Sequence, residues 1–471
     1  MPYTHTTWGT LKTQLANRLG DSASTFWTNT AALPELEVLL TESLHTFSLL
    51  SGFWRERAAS LTLTAATAFF DLTTALNAGL VDSTVTDQDI IQQIQFQFLE
   101  DASVQTSWPG TDQFTYADVT NAITRRRNQF LSDTGIILTR STPAITVTGR
   151  QTLVDTIIDI RRAAYRSAVP FQYYSQLSRE DERVMTLANP DWSANQGTPR
   201  SYSVMAPPPL VMQLDPPPIA GGTLDLITVS TGPALDPAVS ATALGIPDDL
   251  TPAIKWGAMS DLLGIDGQAR DTQRAQFCEQ RYQQFVELAR MLSMVVNTEL
   301  GGLPTIPETL YDLDSAIPHW QDYSGTPTVL ALGGWNMMAV SPVPDTQGPY
   351  SAILDVVRKA DIPTQDVDNV QIGREQLDMI LDYAEHLALF KVGGAEWQAT
   401  TQQANNFLLQ SITYNQRLGA AAPYVIIPKD ASQREKAYRP RREQVDGLGA
   451  MPSVTEPQAF VKTNAPVRLN R

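Results

Sequence analysis

The residues that could do chemistry are few and scattered. Asp312 with Asp314, and Asp366 with Asp368, form two acid pairs. Paired carboxylates are the equipment of glycoside hydrolysis. Loop aspartates, however, are mostly turn formers and helix caps, and that is the expected role of these four. Cys278 falls on the apolar stripe of a long predicted helix and reads as a small core residue. A catalytic thiol needs a polar cleft and a histidine beside it, and the sequence offers neither. His386 stands four residues after Asp382 on a predicted helix, the spacing of a solvated side-chain pair. Asp266-Gly267 matches a fragment of a calcium loop without its alternating oxygen ligands, so it reads as a turn. Phosphate-binding glycine loops, H-E-x-x-H and G-x-S-x-G are all missing. With one cysteine and four scattered histidines (His5, His45, His319, His386), the expectation is no catalytic, cofactor or metal site and no enzyme.

Two basic clusters remain. Arg125-Arg126-Arg127 is expected on the exposed side of a helix, as a solvated face or a contact between subunits rather than a nucleic-acid site. Arg439-Pro440-Arg441-Arg442 lies near the C-terminus and is expected to rest on an acidic neighbouring subunit in preference to DNA. Arg125, Arg126, Arg127, Arg439, Arg441 and Arg442 are therefore the candidate assembly-interface residues.

These clusters sit in an acidic chain. Its 471 residues carry 34 Lys+Arg against 50 Asp+Glu, a net charge of −16. That balance argues against broad electrostatic coating of DNA by the whole surface. At about 100–200 residues per domain, the length predicts two to four domains. It is ample for a hydrophobic core without disulfide or metal staples. The first eight residues have neither a basic region nor an apolar run, so no signal peptide is expected. No stretch reaches the roughly 18 apolar residues that span a bilayer. The expectation is a soluble chain made in a cytosol, with no membrane partner. Only 18% of the residues are charged and 31 are proline. Such a composition suits a chain whose surface is largely covered by other chains.

The elements that would position these residues follow from periodicity. Trp8, Leu11, Leu15 and Leu19 mark one helical face, and Leu36, Leu39, Leu40, Leu44 and Phe47 mark a second. Residues 59–72 read as a small β-hairpin. Helices are predicted over 87–100 and from Thr115 to about Ser132. Residues 136–230 read as mainly β, with a short helix capped by Ser178. Proline triplets at 207–209 and 216–218 confine the strand between them to an edge or isolate it. Asp248 or Asp249 is expected to cap a helix holding Ile254, Trp256 and Leu262. A long helix is predicted from about Ala269 to Asn297. Short strands are predicted within 329–340, a short helix over Ser351–Lys359, and an αα-hairpin over 373–418.

Three stretches carry a resemblance. The first is Trp8-Gly9-Thr10-Leu11-Lys12 through Arg18-Leu19-Gly20-Asp21, continuing to Phe53-Trp54-Arg55. The second is Pro190-Asp191-Trp192 with Gly197-Thr198-Pro199-Arg200-Ser201-Tyr202. The third is Ile246-Pro247-Asp248-Asp249-Leu250, then Trp256-Gly257-Ala258, then Asp266 to Asp271 and Cys278-Glu279-Gln280-Arg281-Tyr282. Over roughly residues 5–300 the chain resembles the neck proteins of tailed bacteriophages, the head-to-tail adaptors between portal and tail.

The resemblance implies an α+β fold. Residues 1–135 and 246–300 would form a helical bundle with a mainly-β domain, 136–245, inserted. Residues 303–428 would be an added module and 429–471 an extended basic arm. The resemblance also implies a virion protein forming a ring, commonly of twelve subunits. Its partners would be the portal protein, tail or nozzle proteins and possible tail fibres. Viral DNA would pass through the lumen without sequence-specific contact. A tail tubular or fibre-attachment protein, a tail-associated cell-wall hydrolase using Asp312 and Asp314, and a DNA-binding packaging accessory are the alternatives.

The charge divides along the chain. Residues 429–471 hold nine basic residues against five acids, a net +4, which leaves −20 for the rest. An acidic ring with a basic strap is what that division would serve. Deleting the residues after about 429 is therefore expected to weaken assembly more than folding. Sedimentation of the assembly and the melting temperature of the free chain measure the two effects separately.

Overall fold

Most of the predicted helices start and stop where their caps require. The computed structural model describes residues 5–418 except 30–33, 58–59, 76–82, 98–113, 168–173, 189, 206–209, 236–240, 267–269, 293–294, 306 and 318. Helices α1 (Trp8–Arg18) and α2 (Glu35–Ser51) open it. Strands β1 (Arg55–Arg57), β2 (Leu61–Leu63) and β3 (Phe69–Asp71) follow, then the single turn α3 (Leu72–Ala75). Next come α4 (Asp87–Gln97) and α5 (Tyr116–Thr134). Thr115 and Asp118 form a reciprocal capping box at the start of α5, and Gly135 ends it with φ 62°.

The β region holds β4 (Thr139–Ser141), β5 (Ala144–Ile145), β6 (Arg150–Thr152), the long β7 (Ile157–Ser167), β8 (Tyr174–Gln176) and β9 (Ser178–Arg179). After α6 (Glu182–Ala188) come β10 (Ser201–Met205), β11 (Val211–Asp215) and β12 (Gly222–Ser230). A short 3₁₀ turn, Asp248–Leu250, runs into α7 (Thr251–Gly264), and α8 (Thr272–Met291) returns. The remaining strands are β13 (Val295–Leu300), β14 (Leu303–Thr305), β15 (Glu308–Thr309), β16 (Ser324–Gly325), β17 (Val329–Gly333), β18 (Met337–Ser341), β19 (Val343–Pro344) and β20 (Tyr350–Val357). Helix α9 (Leu310–Ala316) lies among them, and α10 (Arg374–Val392), α11 (Gly394–Ala399) and α12 (Thr401–Leu418) close the described chain.

The fold is α+β. Two sheets, β6-β11-β10-β9 and β4-β12-β7-β8 with β5 also on β12, face each other. Their shared core includes Ile145, Ile160, Tyr165, Tyr202, Met212, Leu214, Leu224 and Leu226. Among the helices, α7 packs on α5 and α8, while α2 packs on α1, α10 and α12. The described residues form one compact unit.

Several local expectations are corrected. Residues 61–71 hold two strands, but they do not form a hairpin. β2 pairs with β20 and β3 with β18, so each joins a different sheet. Ser351–Lys359 is not a helix. Its buried Ala352, Leu354 and Val356 alternate with period two, the signature of a strand, and β20 is paired on both edges. The long helix stops at Met291, and Val295 begins β13 instead of extending the stripe. β11 is not an edge strand. It lies between β6 and β10, because Pro216–Pro218 begin just beyond its paired residues and remove no ladder donor. Pro207–Pro209 lie outside the described residues. Ser178 belongs to β9, and Asp181 instead accepts from the backbone of Arg183 at the start of α6.

Sequence-distant segments are joined at the turn between β17 and β18. Gly334 has φ 60°, and a Cβ there would stand 2.5 Å from the carbonyl of Ile136. Asn336 donates from its side chain to the Leu138 carbonyl at 2.8 Å and accepts from the Leu138 N–H at 2.9 Å. β20 is central to its sheet and Leu354 is fully buried. Leu354→Ala is expected to cost about 2–5 kcal/mol, the range for a core leucine truncation, read from urea denaturation.

Candidate assembly interface

The arginine triad on α5 is the first candidate, and the structure turns most of it inward. Arg125 and Arg126 both bind Asp261 of α7, each at 2.6 Å. Arg126 also reaches Glu279 of α8 at 2.9 Å and lies 5.0 Å over the Tyr282 ring. Arg127 is 1% exposed and donates to the Pro233 carbonyl at 2.7 Å. Burial pushes its guanidinium down to about 10. The expectation that all three face outward is thus corrected. Consecutive helical residues are about 100° apart, so three in a row cover too wide an arc to share one face. Only Arg125 has an exposed side chain. Arg439, Arg441 and Arg442 lie outside the described residues.

The other residues singled out by type are held in internal contacts. Asp312 accepts from Thr309 in the first turn of α9. Asp314 receives Arg162 through Nε at 2.6 Å and Nη2 at 2.9 Å. It also receives Trp320 Nε1 at 2.8 Å and Gln176 Nε2 at 3.2 Å. Four donors fill the acceptor positions a carboxylate has, so Asp314 has no lone pair left for proton transfer. Asp366 pairs with Lys12, and Asp368 accepts from the Gln365 backbone at 3.0 Å.

Asp248 and Asp249 are buried and do not cap α7 through their side chains. Asp248 takes the N–H groups of Thr84 and Val85 at 2.8 and 3.0 Å, and Asp249 takes His45. Asp266 pairs with Arg270. Cys278 is fully buried, which pushes its thiol up, away from reactivity. Among the described residues, no three His, Cys, Asp or Glu side chains come together as a metal site would require.

What sequence reasoning missed is a basic cleft of about 660 Å³ between the β sheets and the 303–341 segment. Arg161 and Arg162 of β7, Arg179 of β9 and Arg200 beside β10 line it, with Tyr311 of α9. Arg161 and Arg179 share Asp159 at 3.4 and 2.8 Å, and Arg162 is neutralised by Asp314 and Asp225. Arg200 is exposed and makes no ion pair among the described residues. Tyr311 is 75% exposed. Arginine and tyrosine beside a concave surface are the side chains that most often anchor protein partners. The one signal in the sequence was Arg161-Arg162 inside a strand; a register shift at Arg161 lets both line the cleft.

This geometry, an α+β body with a basic cleft on its β region, can now be set beside known proteins. Residues 84–298 match the SU10 adaptor protein family. That span opens just before α4, takes in both facing sheets with α5, α7 and α8, and closes within β13. The similarity points to a phage adaptor protein. It fits a structural role in the virion, in contact with other phage structural proteins. A comparison with curated proteins finds no match. No helix among the described residues is long and apolar enough to cross a membrane.

His386 does not pair with Asp382, which instead receives Arg18. The histidine is 2% exposed, bonded through Nδ1 to Thr400 Oγ1 at 2.9 Å, and close to the rings of Phe277 and Trp397. Burial first, and then Arg281, push its pKa down to about 4. The unfolded chain takes up this proton near 6.5 and the folded chain only near 4. Stability from His386 is therefore full above 6.5 and is lost as pH falls from 6.5 to 4. His386→Gln is expected to flatten the pH dependence of the melting temperature in that window.

Proposed function

We propose that the chain is a head-to-tail adaptor of a tailed phage: a ring subunit that docks on the portal protein and joins it to tail or nozzle proteins. The observation that carries this reading is the match over 84–298, which takes in the facing sheets and helices α5, α7 and α8 as one continuous span. The ring would be a dodecamer, and viral DNA would pass through its lumen. A charge of −20 outside the C-terminal 43 residues supports a wall that repels phosphate and lets DNA slide. The basic residues Arg439, Arg441 and Arg442 would strap one subunit to an acidic neighbour, and the outer surface could hold tail fibres. Arg179 and Arg200 would receive acidic side chains of the adjacent subunit.

The mechanism is mechanical and non-enzymatic. The acceptor positions of Asp314 are filled by its donors, so the Asp312 and Asp314 pair does not support the hydrolase reading.

The purified chain is expected to co-sediment with portal rings. The double variant Arg179→Ala, Arg200→Ala should lower the bound fraction several-fold and leave the melting temperature nearly unchanged. A chain that stays monomeric with portal present would sink the proposal.

A further inference from the structure

A second concave surface lies away from the basic cleft, between α2, α8 and α12. It is a groove of about 600 Å³ with mainly apolar walls, among them Leu50, Phe285, Leu288, Leu408 and Ile412. The apolar surface continues outward along α12, where Leu409 is 64% exposed. Arg281 of α8 also lines this groove, with Glu279, which is paired with Arg126, and Glu287, which is paired with Arg290.

Arg281 is 6% exposed, and burial pushes its guanidinium down to about 10. Its Cζ lies 5.3 Å from the centre of the Tyr383 ring and 5.8 Å from that of Phe285. Nη1 donates to Gln284 at 3.0 Å, while Nε and Nη2 have no hydrogen-bond partner among the described residues. Thr46 Oγ1, also in the groove wall, has none either.

The two unpaired donors are a matched set. Nε–H and Nη2–H lie side by side and form the edge that grips a carboxylate with two parallel bonds. Elsewhere in the chain that edge is used in this way. Arg162 holds Asp314 with Nε and Nη2 at 2.6 and 2.9 Å. Arg126 holds Asp261 with the same two atoms at 2.9 and 2.6 Å. Glu42 offsets part of the Arg281 charge, but it is already bonded to Lys255 and Trp256 and makes no hydrogen bond to this edge. A buried guanidinium without a directly bonded carboxylate therefore remains costly to the fold.

We infer that this groove is the docking site for an apolar helical segment of another virion protein, and that an Asp or Glu on that segment pairs with the Nε and Nη2 edge of Arg281. This rests on the adaptor reading above for the source of the partner. A helix laid along α12 would cover Leu409 and Ile412 and exclude water from the ion pair. A second copy of α12 does not supply the anion, since Thr401–Leu418 contains no Asp or Glu.

The test uses the full chain and two labelled, N-acetylated 14-residue helical peptides. Both carry leucines on one face and lysines on the other. They differ only by Glu or Gln at the centre of the leucine face. Fluorescence anisotropy is expected to show the Glu peptide binding at least tenfold tighter than the Gln peptide. Arg281→Met should remove the preference, and its melting temperature should equal or exceed that of the parent. Arg281→Lys, which keeps the charge and loses the paired edge, should also lose most of the preference.

Equal binding of the two peptides, or no binding of either, overturns the inference. So does a lower melting temperature for Arg281→Met, which would make the residue a strut of the helices. Self-association of the free chain that Arg281→Met abolishes would assign the groove to a second copy and overturn the partner assignment. No arm uses portal protein, so failure here and failure of the adaptor reading are distinguishable.

Discussion

A carboxylate sealed inside a helical core must be met by a cation, and Glu42 of α2 imposes that condition on the rest of the chain. α2 is buried on most sides, and its Glu35 and Glu42 have no route to water. Glu42 receives Lys255 and, at 2.8 Å, the indole of Trp256, both from α7. At the first residue of α2, Glu35 receives Lys391 of α10 at 3.1 Å. Asp249, just ahead of α7, accepts from His45 Nδ1. These contacts join three separated parts of the sequence along one helix. Removing one member of a buried pair typically costs about 3–5 kcal/mol, because the remaining charge is stranded. α7 and α10 therefore cannot slide on α2, and α8 and α12, which pack on them, inherit that register. The groove around Arg281 is shaped by this chain of constraints.

The β region depends on a second buried cluster. Arg162 bridges Asp314 and Asp225, Arg140 takes the other side of Asp225 at 2.7 Å, and Phe69 lies against both guanidiniums. This fastens α9 and β3 to the face of β7. It also explains why the residues after 303 are interwoven with those before 72. β1 and β2 add to β20, and β3 adds to β18. The basic cleft lies where α9 and the end of β17 meet β7 and β9, so its shape is a product of long-range packing.

That division sets what the sequence could reveal. Helix identity was legible wherever an apolar stripe and a cap agreed, as from Trp8 to Arg18 and from Thr115 to Thr134. Strand identity in 136–230 was legible from β-branched runs. Pairing was not, because a short strand such as Leu61–Leu63 records its own alternation and nothing about Tyr350–Ala352, its partner. Short apolar runs such as Ser351–Lys359 are ambiguous between helix and strand, and the period-two burial of β20 decides the matter only once its neighbours are known. The cleft was hidden for the same reason. Arg161, Arg179 and Arg200 come from separate segments, and single arginines carry no spacing signal. The resemblance to phage adaptors was legible because it lay in local strings, and the family match covers two of the three.

The buried arginines show what the chain does when it is free to choose. Arg126 and Arg162 each have a carboxylate on the Nε and Nη2 edge, and Arg127 has the Asn128 amide oxygen there, at 3.4 and 3.3 Å. With 50 acids against 34 bases, carboxylates are not scarce. A glutamate at position 284, where Gln284 already touches Arg281, would neutralise the charge within α8 at no change in size. Shortage of partners therefore does not explain why Arg281 has only an amide. A neutral residue there leaves the guanidinium able to discriminate, since a group already paired within the fold gains little from a ligand. An unpaired one gains the full difference between a buried lone cation and a bidentate ion pair. The arrangement trades stability of the free subunit for selectivity of contact, which is the balance expected of a subunit whose function is realised in an assembly.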